Sequence, residues 1–213
     1  MTAATAPRDP RHPSRLGSTW VGVAAPAGLL AALGLAAWLR ADVLESGGDP
    51  ILVGVSFGVL LLVLARIATP GRCGVIARSG RAGVATAVGL GLVCGGLLVA
   101  IAATAPAGGL RLEPGRAGAL LPWSLVTLLA ATAEESLLRG ALFDTVEAAV
   151  GVPAALAVTS LAFALMHVPS YGWGVVPLDA AVGLALGGLR LAAGGWLAPA
   201  VTHGVADLAT WWL

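Results

Sequence analysis

The sequence of 213 residues contains no lysine, only two cysteines, and charged side chains at just 11% of its positions. Each shortage excludes something. A soluble domain carries about 25% charged and roughly 45–50% apolar residues, whereas the apolar share here is 58%. That leaves too little polar surface to cover a water-soluble globule, so a soluble enzyme and a disordered chain are both poor fits. The net charge of +1 supplies no field for a polyanion, which removes nucleic acid from the partners. Twelve arginines without one lysine, beside abundant Ala, Gly, Leu and Val, read as the codon bias of a GC-rich genome. Cys73 and Cys94 fall in a loop-like stretch and an apolar run, and such a pair makes no disulfide framework. There is no GxxxxGKS/T loop, no dinucleotide fingerprint and no repeat of a 20–50-residue unit.

What the chain does have is long apolar runs. They cover residues 20–39, 51–65, 83–105, 117–133, 152–167, 176–189 and 196–213. The expected fold is therefore all-α, a polytopic transmembrane helical bundle of about seven membrane segments. Several runs are shorter than the ~20 residues that span a bilayer alone. Residues 1–16, polar and rich in Pro and Arg (Arg8, Arg11, Arg15, with His12), read as a disordered cytoplasmic tail. Residues 17–213 then form a single integral-membrane domain. The run at 20–39 is too long for a signal-peptide core and is read as a retained first helix, with Pro26 a candidate kink. Small residues throughout allow close helix contact in lipid. Counting arginines along the alternating connections places nine on one side and three on the other. The positive-inside rule then predicts a multi-pass protein of the cell membrane with its N-terminus in the cytoplasm. Its partners are the lipid bilayer and a membrane-associated peptide or protein.

The few polar residues inside these runs carry the chemistry. Glu134-Glu135-Ser136-Leu137-Leu138-Arg139-Gly140 closes the fourth run, and two acids beside an apolar span must face protein or water. On a helix Glu135 and Arg139 are neighbours four apart, acid first, while Glu134 points roughly 100° away. Phe163-Ala164-Leu165-Met166-His167 closes the fifth run. In the last run His203 and Asp207, four apart, share a helical face well inside the apolar stretch. Taken singly, the first two are what a helix end at a membrane surface also shows. Depth decides whether they converge: Glu134 reaches mid-bilayer only if its helix continues to about Phe143, and His167 only if its helix continues past Pro169 toward Trp173. Asp144, Glu147 and Asp179 are read as interfacial or connecting residues, and Trp211-Trp212 as an interfacial anchor.

The three segments resemble the signature of the CAAX-processing and bacteriocin-processing (CPBP) intramembrane glutamic endopeptidases, the Rce1-like group. That signature is EExxxR, then FxxxH, then HxxxN or HxxxD on separate helices. Here it stands as Glu134-Glu135 to Arg139, Phe163 to His167, and His203 to Asp207, in the same order and within residues 117–213. The resemblance implies a metal-free protease without cofactor. Glu134 would activate water and His167 would position it. His203 and Asp207 would stabilise the oxyanion, with Glu135, Arg139 and Phe163 supporting. A carboxyl group sheltered from bulk water suits such a base near neutral pH. Asp207 stands where many relatives carry Asn. It either donates to the oxyanion when protonated or orients His203 as an acceptor, and the second role is favoured. Two other readings fit the same residues: a zinc protease using Glu134, His167 and His203 without an HExxH pair, and a non-catalytic scaffold or immunity-type protein of the same fold.

Overall fold

A computed structural model of the chain describes residues 15–69, 83–104 and 120–212. The N-terminal tail, Cys73 and the connecting arginines Arg72, Arg78, Arg81, Arg111 and Arg116 lie outside the described residues. The elements are α1 (Arg15–Glu45), α2 (Pro50–Ala68), α3 (Gly83–Thr104), α4 (Leu120–Glu135), α5 (Phe143–Val150), α6 (Val152–Tyr171), α7 (Val176–Ala193) and α8 (Leu197–Ala209). Ser136–Leu142 is a π-helical segment with helical dihedrals at both joints, so α4 and α5 form one rod over 120–150. The described residues are helical throughout, apart from short turns.

Local chemistry sets the helix ends. Asp49 caps α2, its carboxylate accepting from the Leu52 N–H at 2.8 Å, with Pro50 at the first helical position. Gly151, at φ 93°, makes the sharp joint between α5 and α6 that a residue with a Cβ would strain. Pro169 does not stop α6, which runs on to Tyr171. The continuation through Phe143 and past Pro169 is what the depth argument required.

Among the described residues five helices are long and apolar enough to cross a membrane: Ala24–Glu45, Pro50–Ala68, Gly83–Thr104, Val152–Tyr171 and Trp173–Ala193. The other two expected segments differ from the reading of the sequence. The rod over 120–150 carries Glu134, Glu135, Arg139, Asp144 and Glu147 from its middle onward. The last run, taken as 196–213, is a helix of only 13 residues followed by a turn. At 1.5 Å per residue it extends roughly 20 Å, short of the hydrocarbon thickness, and it packs against α3, α4 and α7. The first helix is also longer than its apolar run, so Arg40, Asp42 and Glu45 belong to α1 and not to a connection.

Glycines hold the rods at close range. A Cβ on Gly91 or Gly95 of α3 would lie 2.6 Å from Val201 and 2.7 Å from Val205 of α8. Both indices rise together, so α3 and α8 run parallel. On the α6–α7 side Gly187 meets Leu156 and Gly183 meets Ser160, so the indices run oppositely and the pair is antiparallel. Such close approach replaces the missing hydrophobic drive between helices in lipid with dispersion contact.

Candidate functional site

The three motif segments meet inside the bundle. Glu135 and Arg139, both fully buried, pair at 2.7 Å across the start of the π segment. Arg139 also donates to the Gly183 carbonyl of α7 at 3.1 Å and lies over the Phe163 ring, 4.7 Å from its centroid. A single guanidinium thus ties α4, α6 and α7 together. Phe163 in turn touches both imidazoles edge-on, His167 at 4.9 Å and His203 at 5.4 Å between centroids.

The π segment sits directly after the two acids. Such wide turns occur mostly as single-turn insertions at functional sites, and side chains support this one by serving nearby carbonyls. The Ser136 hydroxyl donates to the Ala133 carbonyl at 2.9 Å and Thr145 to Leu142 at 2.9 Å. Arg190 of α7 donates to the Arg139 carbonyl at 2.8 Å while pairing with Asp144 at 2.6 Å and covering Phe143 at 3.7 Å. Asp144 is therefore part of this clamp, and Glu147 joins it at 3.5 Å.

His203 is held from both sides. Its Nδ1 lies 3.1 Å from Glu135 Oε1, an acceptor already shared with Arg139, so Nδ1 carries the hydrogen. Its Nε2 faces Asp207 Oδ2 at 3.3 Å and Glu134 Oε2 at 3.9 Å. The residue that orients the ring through Nδ1 is therefore Glu135, which the sequence suggested only as a brace. Asp207 reaches the opposite nitrogen, and its side chain stays 42% exposed. Glu134 is only 4% exposed and interacts electrostatically with His203, His167 and Arg40 of α1. Arg40 lies over the Phe57 ring at 5.0 Å.

His167 brings a residue that sequence reasoning missed. Its Nδ1 lies 2.9 Å from the Phe163 carbonyl and 3.1 Å from Asp179 Oδ2 of α7. Asp179 stands in the first turn of α7, far from any motif, and no local pattern in the sequence marks it. The sequence-predicted residues Glu134, Glu135, Arg139, Phe163, His167, His203 and Asp207 form one connected cluster. Among the described residues no group of three or more His, Cys, Asp or Glu side chains is disposed to hold a metal ion. Trp211 stacks on Trp123 with centroids 4.8 Å apart, pinning the end of α8 to the start of α4.

A polytopic helical membrane protein with a buried Glu–His–His cluster is the class these features define. Residues 116–209 match the family model described as type II CAAX prenyl endopeptidase Rce1-like. The resemblance read from the three motifs is thus shown over the segment that holds α4 to α8, while α1, α2 and α3 lie outside the match. No curated protein and no solved structure matches the chain.

Proposed function

We propose that the chain is an intramembrane endopeptidase that hydrolyses a peptide bond of a membrane-associated peptide or protein by a glutamate-activated water. The observation that carries this reading is the placement of Glu134. It is a nearly fully buried carboxylate in an apolar bundle, with its Oε2 facing His203 Nε2 at 3.9 Å and His167 approaching from a third helix. An acid so placed has no packing role and is costly in lipid, which favours a functional one.

In this reading Glu134 takes a proton from water as the water oxygen bonds to the scissile carbonyl carbon. His167 orients that water. The carbonyl oxygen becomes an oxyanion and accepts from His203 Nε2, whose ring is fixed by the Nδ1 hydrogen bond to Glu135. Collapse of the intermediate breaks the C–N bond, and the proton held by Glu134 passes to the leaving amine. General-base assistance of this kind contributes about 10²–10⁴ and an oxyanion donor about 10²–10³ in rate. Asp207 accepts from His203 Nε2 until the oxyanion replaces it. The mechanism uses no metal, the described membrane domain is a single unit, and its N-terminus lies in the cytoplasm.

The test uses purified protein in liposomes with two fluorogenic peptides ending in Cys-aliphatic-aliphatic-X, one prenylated and one not. Wild type should cleave at least one of them, and Glu134→Ala should lose at least about 10²-fold in kcat. Equal behaviour of the two proteins on both peptides, and on processed species in cell membranes, would leave the non-catalytic scaffold as the reading. Stoichiometric zinc that leaves together with activity would overturn the metal-free form.

A further inference from the structure

We infer that Asp179 is the positioning residue of His167: it shares the Nδ1 hydrogen of that ring and directs Nε2 toward the reacting water. The inference rests on the proteolytic reading of the site but adds a residue outside all three motifs.

Register places Asp179 there. Along the antiparallel α6–α7 pair, Gly187 stands opposite Leu156 and Gly183 opposite Ser160, each position close enough that an added Cβ would collide. One further turn toward the start of α7 puts Asp179 opposite Ala164. Helical side chains lean toward the N-terminus of their own helix, so the His167 ring folds back to that level. Its hydrogen bond to the Phe163 carbonyl at 2.9 Å records the same lean. Asp179 Oδ2 completes the site at 3.1 Å, with both side chains about four-fifths buried.

Hydrogen counting fixes the tautomer. A carbonyl oxygen only accepts, and a carboxylate oxygen only accepts, so the nitrogen between them must carry the hydrogen. Nδ1 is therefore the N–H and Nε2 is the nitrogen left to face the reaction. When Nε2 binds or shares the proton of a polarised water, the ring gains positive charge, and the carboxylate of Asp179 stabilises it. Backing a catalytic imidazole with a carboxylate in this way preserves both tautomer and charge. The other charged or titratable groups facing His167 are Glu134 from α4 and His203 from α8, with the Tyr171 ring 6.1 Å away on α6. The same face of α7 presents the Gly183 carbonyl to Arg139 one turn later. A single helix therefore aligns the supports of two motif residues.

The experiment has two arms that fail separately. In the first, ¹⁵N-histidine spectra of the full chain in micelles report the tautomer of His167, and hydrogen exchange reports the protection of its Nδ1–H. Wild type should show the Nδ1–H form, and Asp179→Ala should speed exchange of that hydrogen at least about tenfold. An Nε2–H form in wild type, or unchanged exchange in Asp179→Ala, overturns the coupling. In the second arm, with the liposome assay above, Asp179→Asn should lower kcat about tenfold or more at unchanged KM, and Asp179→Glu should recover part of it. A change in KM alone, or full activity in both Asp179→Asn and Asp179→Ala, overturns the positioning role. Absence of cleavage by wild type would refute the proteolytic reading, whereas the spectra decide the Asp179–His167 coupling on their own.

Discussion

Replacing Arg139 with Met removes the guanidinium that pairs with Glu135 inside the bundle. Both partners are fully buried, with 2.7 Å between Arg139 Nη1 and Glu135 Oε1. Breaking such a pair from one side typically costs about 3–5 kcal/mol, because the remaining charge has no partner. The lost hydrogen bond to Gly183 and the lost contact over Phe163 add to this, while His203 still donates to Glu135 Oε1. For a chain of this size such a loss lowers Tm by about 6–20 °C, at roughly 2–4 °C per kcal/mol. Thermal unfolding in detergent reads this directly. The double variant Arg139→Met with Glu135→Gln, which carries no buried charge at the pair, should recover at least half of the loss. An Arg139→Met protein within about 1 kcal/mol of wild type, or a deficit that the second substitution leaves unchanged, would refute the argument.

Other outcomes follow from the same geometry. Asp207→Asn keeps an amide that can accept from His203 Nε2 or donate to the oxyanion across the 3.3 Å contact, so it should retain activity within about tenfold of wild type in the liposome assay; near-complete loss would count against the orienting role. Gly183→Ala puts a Cβ 2.9 Å from the Ser160 Cα and 3.0 Å from its carbonyl oxygen, backbone atoms that cannot turn aside. It should destabilise the fold by about 1–3 kcal/mol in detergent unfolding. Because the helix pair is forced apart at the point that sets Asp179 over His167, kcat should fall further than the folded fraction does. Gly188→Ala on the same helix, where a Cβ meets nothing within 4 Å, is the matched control: it should leave kcat unchanged and raise stability by about 0.5–1 kcal/mol.

Much of the site was legible along the chain, because ionisable side chains are so costly in an apolar span that each one present is informative. Glu134, Glu135, Arg139, His167, His203 and Asp207 stand out against their runs, and the Glu135–Arg139 pair follows from helical spacing alone. Two things were not legible. Asp179 carries no local mark, since an acid in the first turn of a helix is what a surface helix also shows; only the glycine register between α6 and α7 brings it to His167. The assignment of Glu135 to His203 Nδ1 was equally hidden. Which acid of an adjacent pair faces which helix depends on the π segment that follows, and on where α8 is anchored by Gly91 and Gly95.

By itself, then, the sequence determined the solvent of the protein, the all-helical bundle and most of the polar cluster, because burial of backbone and charge in lipid allows few alternatives. Tertiary structure decided the pairings. It shortened the last helix to a segment wedged among its neighbours, drew Arg40 into α1, turned Asp144 into a clamp with Arg190, and gave His167 and His203 each a carboxylate at Nδ1. The physical reason is that periodicity fixes which side of a helix a residue occupies. Which groups face one another across two helices is set by where the backbones approach within contact, and only the folded chain fixes that.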